Sequence, residues 1–346
     1  MRNHRIWVAF TSVLVITLVL VLTDYSRAQT TKEVFKGRLS YHWFPTHGCA
    51  INSENFAKMV REKTKGQVEI TTFGSGQLYN LQQIVTALST GAVDIGGIVD
   101  TSFVAVDPNI GISMLPYYWT GYEQIRKLWE ETPAGKQRWD DLQKKLNIKI
   151  LAYIPTGPVM LYNTKRPLHA PEDLRGLKAR YLTKTEIPVY ESLGASSVFV
   201  QTTEIYTALQ TGMVDIVPTV PNAIKAYSWW KFLKFGVKPY MYLWDSYIVA
   251  NATWWNKLPE EIRNTITKEV SIPLSKQATE EALTIYGDQI LEEWQRVHGG
   301  KVNTLTKGQH EAYQNIFRAK VWPTQTSKMD PSLLSAAEKI TGIPLK

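Results

Sequence analysis

The chain has 346 residues, of which 44% are hydrophobic and 20% charged, with one Cys and a formal net charge of +8. That length fits roughly two domains of about 100–200 residues each. It can bury a core without disulfides, and a lone Cys rules out an internal disulfide framework and multi-Cys metal folds; the composition also excludes collagen, coiled coil and disorder.

The first 28 residues read as a secretory signal rather than as part of the fold. Arg2 and Arg5 precede an uncharged apolar run from Ile6 to Leu22, and Ser26-Arg27-Ala28 supplies small residues at a cleavage site after Ala28. An uncleaved anchor is the alternative, since the run is long for a signal and short for a membrane span. Cleavage removes three basic residues and Asp24, so the mature chain keeps +6. This favours acidic small molecules or anionic surfaces slightly, and no basic block is dense enough to argue for nucleic acid. A freely soluble mature protein is expected.

His42, His47 and Cys49 are close in sequence but form no metal-binding pattern, and a single buried thiol is usually a small apolar residue. Further along, Ile84-Val-Thr-Ala-Leu-Ser-Thr-Gly-Ala-Val-Asp-Ile95 recurs as Ile205-Tyr-Thr-Ala-Leu-Gln-Thr-Gly-Met-Val-Asp-Ile216, with nine of twelve positions identical. Each copy reads as the end of an amphipathic helix, a left-handed Gly cap at Gly91 or Gly212, and a short apolar strand. Two copies far apart mean two similar α/β domains rather than a solenoid. Asp94 and Asp215 recur with the repeat, which points to a shared structural role at the helix-to-strand joint.

Strands are predicted over Val68–Phe73, Val93–Val99, Ile148–Ile154, Val198–Val200 and Val214–Val220, and helices over Ser53–Thr64, Tyr122–Leu146, Lys184–Leu193 and Thr203–Thr211. In open α/β sheets ligands bind beyond the carboxyl ends of the strands. The useful residues should therefore lie near Trp43, near Asp100 and from Thr219 to Asn222. Pro171 to Tyr181 sets a turn and then a short strand carrying Arg180, whose planar fork of donors suits a carboxylate. The stretch Lys225 to Lys238 mixes aromatic and basic residues, and reads as core aromatics with Lys stems at the rim. Leu258 to Val297 is a long amphipathic helix that Pro273 should kink or split, and it is long enough to brace both domains.

Enzyme motifs are missing: Gly74-Ser75-Gly76 is not a full nucleophile elbow, and there is no P-loop or dinucleotide fingerprint. No catalytic residue, metal or cofactor is expected.

Taken in order, Phe73-Gly-Ser-Gly-Gln-Leu78, Ala87 to Asp94, Arg166-Pro167, Glu172 to Arg180, Leu193-Gly-Ala195, Glu204 to Asp215 and Leu258-Pro-Glu260 resemble the substrate-binding proteins of TRAP transporters, the DctP-like family. The resemblance implies a two-domain, periplasmic-binding-protein-like α/β fold with an interdomain cleft, crossing strands and a long bracing helix. It implies discontinuous domains, 29–154 with about 247–285 and 155–246 with about 286–346. The protein is then expected to act as a monomer, to hold an organic anion on Arg180 and to pass it to membrane subunits. Met160 stands where some members place a second Arg. Trp43, Tyr79, Asp100, Tyr117, Thr219, Asn222, Trp244 and Asp245 lie in segments expected near the cleft, and such a lining suits an apolar or aromatic monocarboxylate better than a sugar acid. A module feeding a sensor protein is the alternative from another class, and an exported hydrolase is a weaker one.

Overall fold

The computed structural model describes Glu33 to Leu345. The signal segment and its cleavage point after Ala28 lie outside the described residues. Eleven strands are described: β1 (Phe35–Ser40), β2 (Val68–Phe73), β3 (Ile95–Val99), β4 (Ile148–Tyr153), β5 (Gly157–Asn163), β6 (Lys178–Tyr181), β7 (Ser196–Phe199), β8 (Ile216–Thr219), β9 (Phe235–Trp244), β10 (Ser246–Asn251) and β11 (Lys301–Thr304). They form two sheets, ordered β2-β1-β3-β10-β4 and β11-β9-β5-β8-β6-β7. Strands β3, β5 and β10 are buried along their whole length, so they read as near-continuous apolar runs rather than as alternation.

Two short extended segments carry the chain between the sheets, and the helix over 260–298 carries it a third time, from β10 to β11. β4 leads to β5 through Ile154–Thr156, and β9 leads to β10 through Asp245 alone. They stay paired as they cross: Ile154 N–H donates to the Ser246 carbonyl at 2.8 Å and Thr156 N–H to the Trp244 carbonyl at 3.0 Å. In the first sheet β10 is antiparallel to both β3 and β4, as a returning strand must be.

The internal repeat is expressed as geometry. Gly91 and Gly212 take left-handed conformations, φ 76° and 67°, where a side chain would be strained. Asp94 Oδ2 accepts the Arg38 backbone N–H at 2.9 Å, and Asp215 Oδ2 accepts that of Lys178 at 3.0 Å. Each carboxylate thus ties the helix-to-strand turn to a strand of its own sheet, β1 or β6. The segment ahead of β6 is fixed similarly: Asp173 Oδ2 accepts from His169 and Ala170, while the Arg166 guanidinium donates to the carbonyls of Asp173 and Arg175. This bracing sets where β6 starts and so where Arg180 emerges.

Two helix expectations change. The predicted helix Tyr122–Leu146 is two helices, Tyr122–Glu131 and Pro133–Leu146, because Pro133 cannot continue the hydrogen-bond ladder and suits a first helical position, with the Thr132 hydroxyl capping Gly135 N–H at 3.0 Å. Pro273, by contrast, does not split its helix, which runs over 260–298. A wider π-helical segment, Ile266–Ser271, immediately precedes Ile272–Leu283, and this is the kind of local adjustment that absorbs a missing N–H. The helix touches both sheets: Ser275 Oγ accepts the β4 Tyr153 N–H at 2.9 Å, and the Trp294 ring meets β5 Tyr162 edge-on at 5.2 Å.

Candidate functional site

Arg180 is the third residue of β6 and is only 4% exposed. Its Nε donates to the Val200 carbonyl and one Nη to the Thr202 hydroxyl, both at 3.1 Å. Among the described residues no carboxylate lies within ion-pair distance of it; each of the nine ion pairs there involves other side chains. The acid that acts on it electrostatically is Glu186, whose Oε2 already accepts the N–H groups of Leu182 and Thr183. Burial lowers the Arg180 pKa and raises that of Glu186, each partly offset by the other's charge. A guanidinium still stays protonated at any physiological pH.

Arg180 lines a narrow cavity of about 40 Å³ with Trp43, Thr219 and Trp244. The lining comes from both sheets: His42, Trp43 and His47 follow β1, Val99 ends β3, Thr156 lies on a crossing segment, and Thr219, Val220, Ala223, Tyr227 and Trp229 follow β8. Those strand ends are the carboxyl ends, as open α/β sheets require. Trp43 packs closely against β3 because Gly97 has no side chain; a Cβ there would come within 2.6 Å of the indole. Its ring stacks on His47, centroids 5.9 Å apart, and lies 4.5 Å from His42. Beside the lining residue Tyr227, the Phe44 N–H donates to the Tyr227 hydroxyl at 3.3 Å, the two rings lie 4.4 Å apart, and the Thr46 hydroxyl donates to the Ala226 carbonyl.

Both histidines are held neutral. Burial lowers the His42 and His47 pKa values to about 3, with the positive charge of Arg180 a second cause at His42. His47 Nδ1 accepts the Cys49 N–H at 3.2 Å and so caps the helix Gly48–Lys63. Cys49 is fully buried, its thiol directed at the Ile154 carbonyl and its pKa pushed up to about 12 by burial. These three residues are therefore structural groups and cavity wall, and no group of three or more His, Cys, Asp or Glu placed to hold a metal occurs among the described residues.

Of the nine site residues expected from sequence, Arg180, Trp43, Thr219 and Trp244 meet at the cavity, and five lie elsewhere. Tyr79 is half-buried against the core. Tyr117 has φ 56°, and its buried ring meets His310 edge-on at 4.5 Å. Asn222 lines a separate cavity of about 280 Å³ with Thr46 and Tyr286. Asp100 and Asp245 are buried next to one another behind the cavity wall, with the Asp100 N–H donating to the Asp245 carbonyl. Asp245 also borders a much larger groove, about 780 Å³, between the helices of 122–146, β4 and the long helix. Sequence reasoning missed His42, His47, Thr202, Tyr227 and Trp229 as lining. Placing ligand residues at strand ends could have found Tyr227 and Trp229, which were instead expected only to fill core; they do both, being 7% and 2% exposed.

Two α/β sheets joined by paired crossing segments, with strand-end loops from both meeting over a buried cation, define the architecture of a two-domain periplasmic binding protein. The chain belongs to the bacterial extracellular solute-binding protein family 7, or DctP family, whose model matches residues 39–326. It is 28% identical over 246 residues to the C4-dicarboxylate-binding periplasmic protein DctP of Rhodobacter capsulatus, covering 67% of this chain and 72% of that one. It is 26% identical over 202 residues to the 2,3-diketo-L-gulonate-binding periplasmic protein of Escherichia coli, covering 57% and 60%. The fold superposes with a TM-score of 0.81 on a Bordetella pertussis extracytoplasmic solute receptor binding pyroglutamic acid, at 21% identity, covering 88% of this chain and all of the other. A TRAP periplasmic solute binding protein from Ralstonia eutropha with bound (S)-2-acetolactate gives 0.81 at 20% identity, covering 89% and 98%.

Proposed function

We propose that the protein is the extracytoplasmic substrate-binding subunit of a TRAP transporter, which captures an organic monocarboxylate with an apolar or aromatic body by domain closure and delivers it to membrane subunits. One observation carries the reading: a permanently charged guanidinium is buried in a cavity without an ion-pair partner among the described residues. A buried charge is costly unless paired, and an incoming carboxylate supplies the pair. Relatives and structural neighbours that bind organic acids support the class of ligand.

The cavity is small beside the roughly 300–1,000 Å³ of sites that enclose small molecules, so admitting a ligand requires the strand-end loops to part. In the proposed cycle the segments 29–154 with about 247–285 and 155–246 with about 286–346 move as two lobes about the paired crossing segments. The Phe44–Tyr227 and Thr46–Ala226 contacts re-form on closure. Water leaves, and the Arg180–carboxylate pair strengthens in the dry site. His42 and Trp43 on one side and Trp229 and Trp244 on the other give the ligand body a largely aromatic wall.

A thermal-shift screen of the exported protein against aliphatic and aromatic carboxylates tests this. A ligand that binds only the folded state stabilises it by about 2.7 kcal/mol at a hundredfold excess over its Kd. The expected result is a shift with carboxylates that Arg180→Ala abolishes. Shifts confined to neutral or cationic compounds overturn it.

A further inference from the structure

We infer that the end of the second sheet farthest from the Arg180 cavity is a docking surface for anionic phospholipid, which holds the exported protein on a bilayer with its cavity turned to solvent. The inference is independent of which ligand the cavity takes.

The register of the sheet places this surface. β5 lies between β8 and β9, with Gly157 opposite Trp244 and Met160 opposite Thr219 toward the cavity, and with Asn163 opposite Phe235 and Ile216 at the other end. Phe235 in turn pairs with Lys301, the first residue of β11. The segments that enter or leave these strands at that end therefore gather at one pole. Lys165 follows β5, Lys234 precedes β9 and Lys301 opens β11. The Lys234 N–H donates to the Asn163 carbonyl and the Lys301 N–H to the Lys234 carbonyl, both at 2.9 Å. Lys231 stands three residues before Lys234, and its Nζ donates to the Tyr206 hydroxyl at 3.3 Å. All four lysines are exposed. Buried Asp215 already pairs with Lys165 and accepts the Lys178 N–H. Among the described residues no acid pairs with Lys231, Lys234 or Lys301. Like charges gathered in this way repel one another, and an anionic surface relieves that repulsion.

The apolar residues of the pole favour a bilayer over an acidic protein. The stretch Lys225 to Lys238 puts Trp229 and Leu233 in the core, as expected of it, but leaves Trp230 and Phe232 only half-buried among the lysines. Trp230 stacks on His298 with centroids 4.3 Å apart, and Phe232 meets Tyr206 edge-on at 5.0 Å. Val297, next to that histidine, is 58% exposed, and Met213, at the turn into β8, is 54% exposed. Aromatic rings with polar tips and cations on long apolar stems are the side chains that sit well at a headgroup boundary. An acidic peptide asks instead for a groove, and none of the three cavities described above is lined by these residues.

The test is flotation of the exported protein, residues 29–346, with vesicles of phosphatidylcholine alone or mixed with phosphatidylglycerol; without the leader, its apolar run cannot contribute. Each lysine brought to an anionic surface strengthens binding about fivefold, so three together are worth about a hundredfold. The expected result is binding to the mixed vesicles only, weakened about a hundredfold when Lys231→Ser, Lys234→Ser and Lys301→Ser are combined, and lost as added salt screens the charges. Combining Lys127→Ser, Lys136→Ser and Lys144→Ser removes the same charge from the helices of 122–131 and 133–146 and should leave binding nearly unchanged. All six lysines are exposed and outside every ion pair among the described residues, so both variants should keep the parent melting temperature. Equal weakening in the two variants overturns the inference, because net charge and not the pole then binds; so does equal binding to the two kinds of vesicle. Absence of binding to the mixed vesicles overturns it as well, and leaves the pole to an acidic protein or to solvent. Should a variant fail to fold, acetylation footprinting of the unmodified protein reads the same contact: the mixed vesicles should protect Lys231, Lys234 and Lys301 but not Lys127 or Lys144, and uniform labelling overturns the inference.

Discussion

Two buried ionisable groups in this molecule meet their desolvation in opposite ways. Arg180 lines the narrow cavity at the strand ends, and Asp245 borders a groove of about 780 Å³ on the far side of the crossing segment. By size alone the groove is the better pocket. Yet its acid can escape its charge: burial raises the Asp245 pKa to about 7, with a hydrogen bond from the Tyr153 hydroxyl opposing that rise. The neighbouring Asp100 is raised as well, by burial first and then by the charge of Asp245. A proton relieves a buried carboxylate, but no proton loss relieves a guanidinium at physiological pH. The demand for an external counter-ion therefore falls on the small cavity, and an unpaired charge marks the site better than volume does.

The largest expected effect tests this directly. Arg180→Ala should weaken carboxylate binding by about 2–5 kcal/mol, the cost of leaving a buried charge without its partner, measured by titration calorimetry. An affinity within threefold of the parent protein would break the comparison at its first term.

Asp245→Asn tests the second term. The folded-state pKa is about 7, against an ordinary carboxyl value near 3.9 in the unfolded chain, so between those pH values the folded protein holds the extra proton. The stability this group contributes is fully present below about pH 4 and is lost as pH rises through about 7, to a total of a few kcal/mol. Asp245→Asn should flatten that part of a denaturant-unfolding profile taken from pH 4 to 8, leaving a residual slope of the same sign from Asp100. An unchanged profile would remove the proton from the argument.

Two smaller effects sharpen the picture of the cavity itself. Gly97→Ala should cost about 1–3 kcal/mol of stability, because its Cβ must displace the Trp43 indole, and it should weaken ligand binding by moving that wall. Tyr227→Phe removes the acceptor of the Phe44 N–H and should cost about 0.5–1.5 kcal/mol. That loss should be read mainly as faster ligand release in stopped-flow measurements, with the folded protein's melting temperature little changed.

The fold was legible wherever a feature is local. The Gly91 and Gly212 caps, the Asp94 and Asp215 joints and most of the short strands are written in contiguous residues, and a duplicated twelve-residue unit made them easy to see. Proline was read less well at Pro133, which was passed over, and a split at Pro273 did not occur. Pro133 ends one helix and starts another, whereas Pro273 is carried through by a preceding π segment, a difference set by neighbouring turns rather than by the residue. At the site, Asp100 and Asp245 each come directly after a residue that lines the cavity, Val99 and Trp244. Consecutive residues of an extended segment point to opposite faces, so Trp244 lines the cavity while Asp245 borders the larger groove; Asp100 instead opens a 3₁₀ turn directly after Val99. Tyr117 lies apart from the cavity lining: its backbone is left-handed, and its ring meets the helix of 307–316, a contact nearly 200 positions away.

By itself the amino-acid sequence determined that this is a duplicated α/β protein of the DctP family with an arginine on a short strand, because caps, strand runs and recurring motifs are properties of neighbouring residues. Only the tertiary structure decided which side chains share the cavity with that arginine and which polar atoms there go without partners. Those depend on how loops from two sheets meet, and on hydrogen bonds already made elsewhere, which no local pattern of residues encodes.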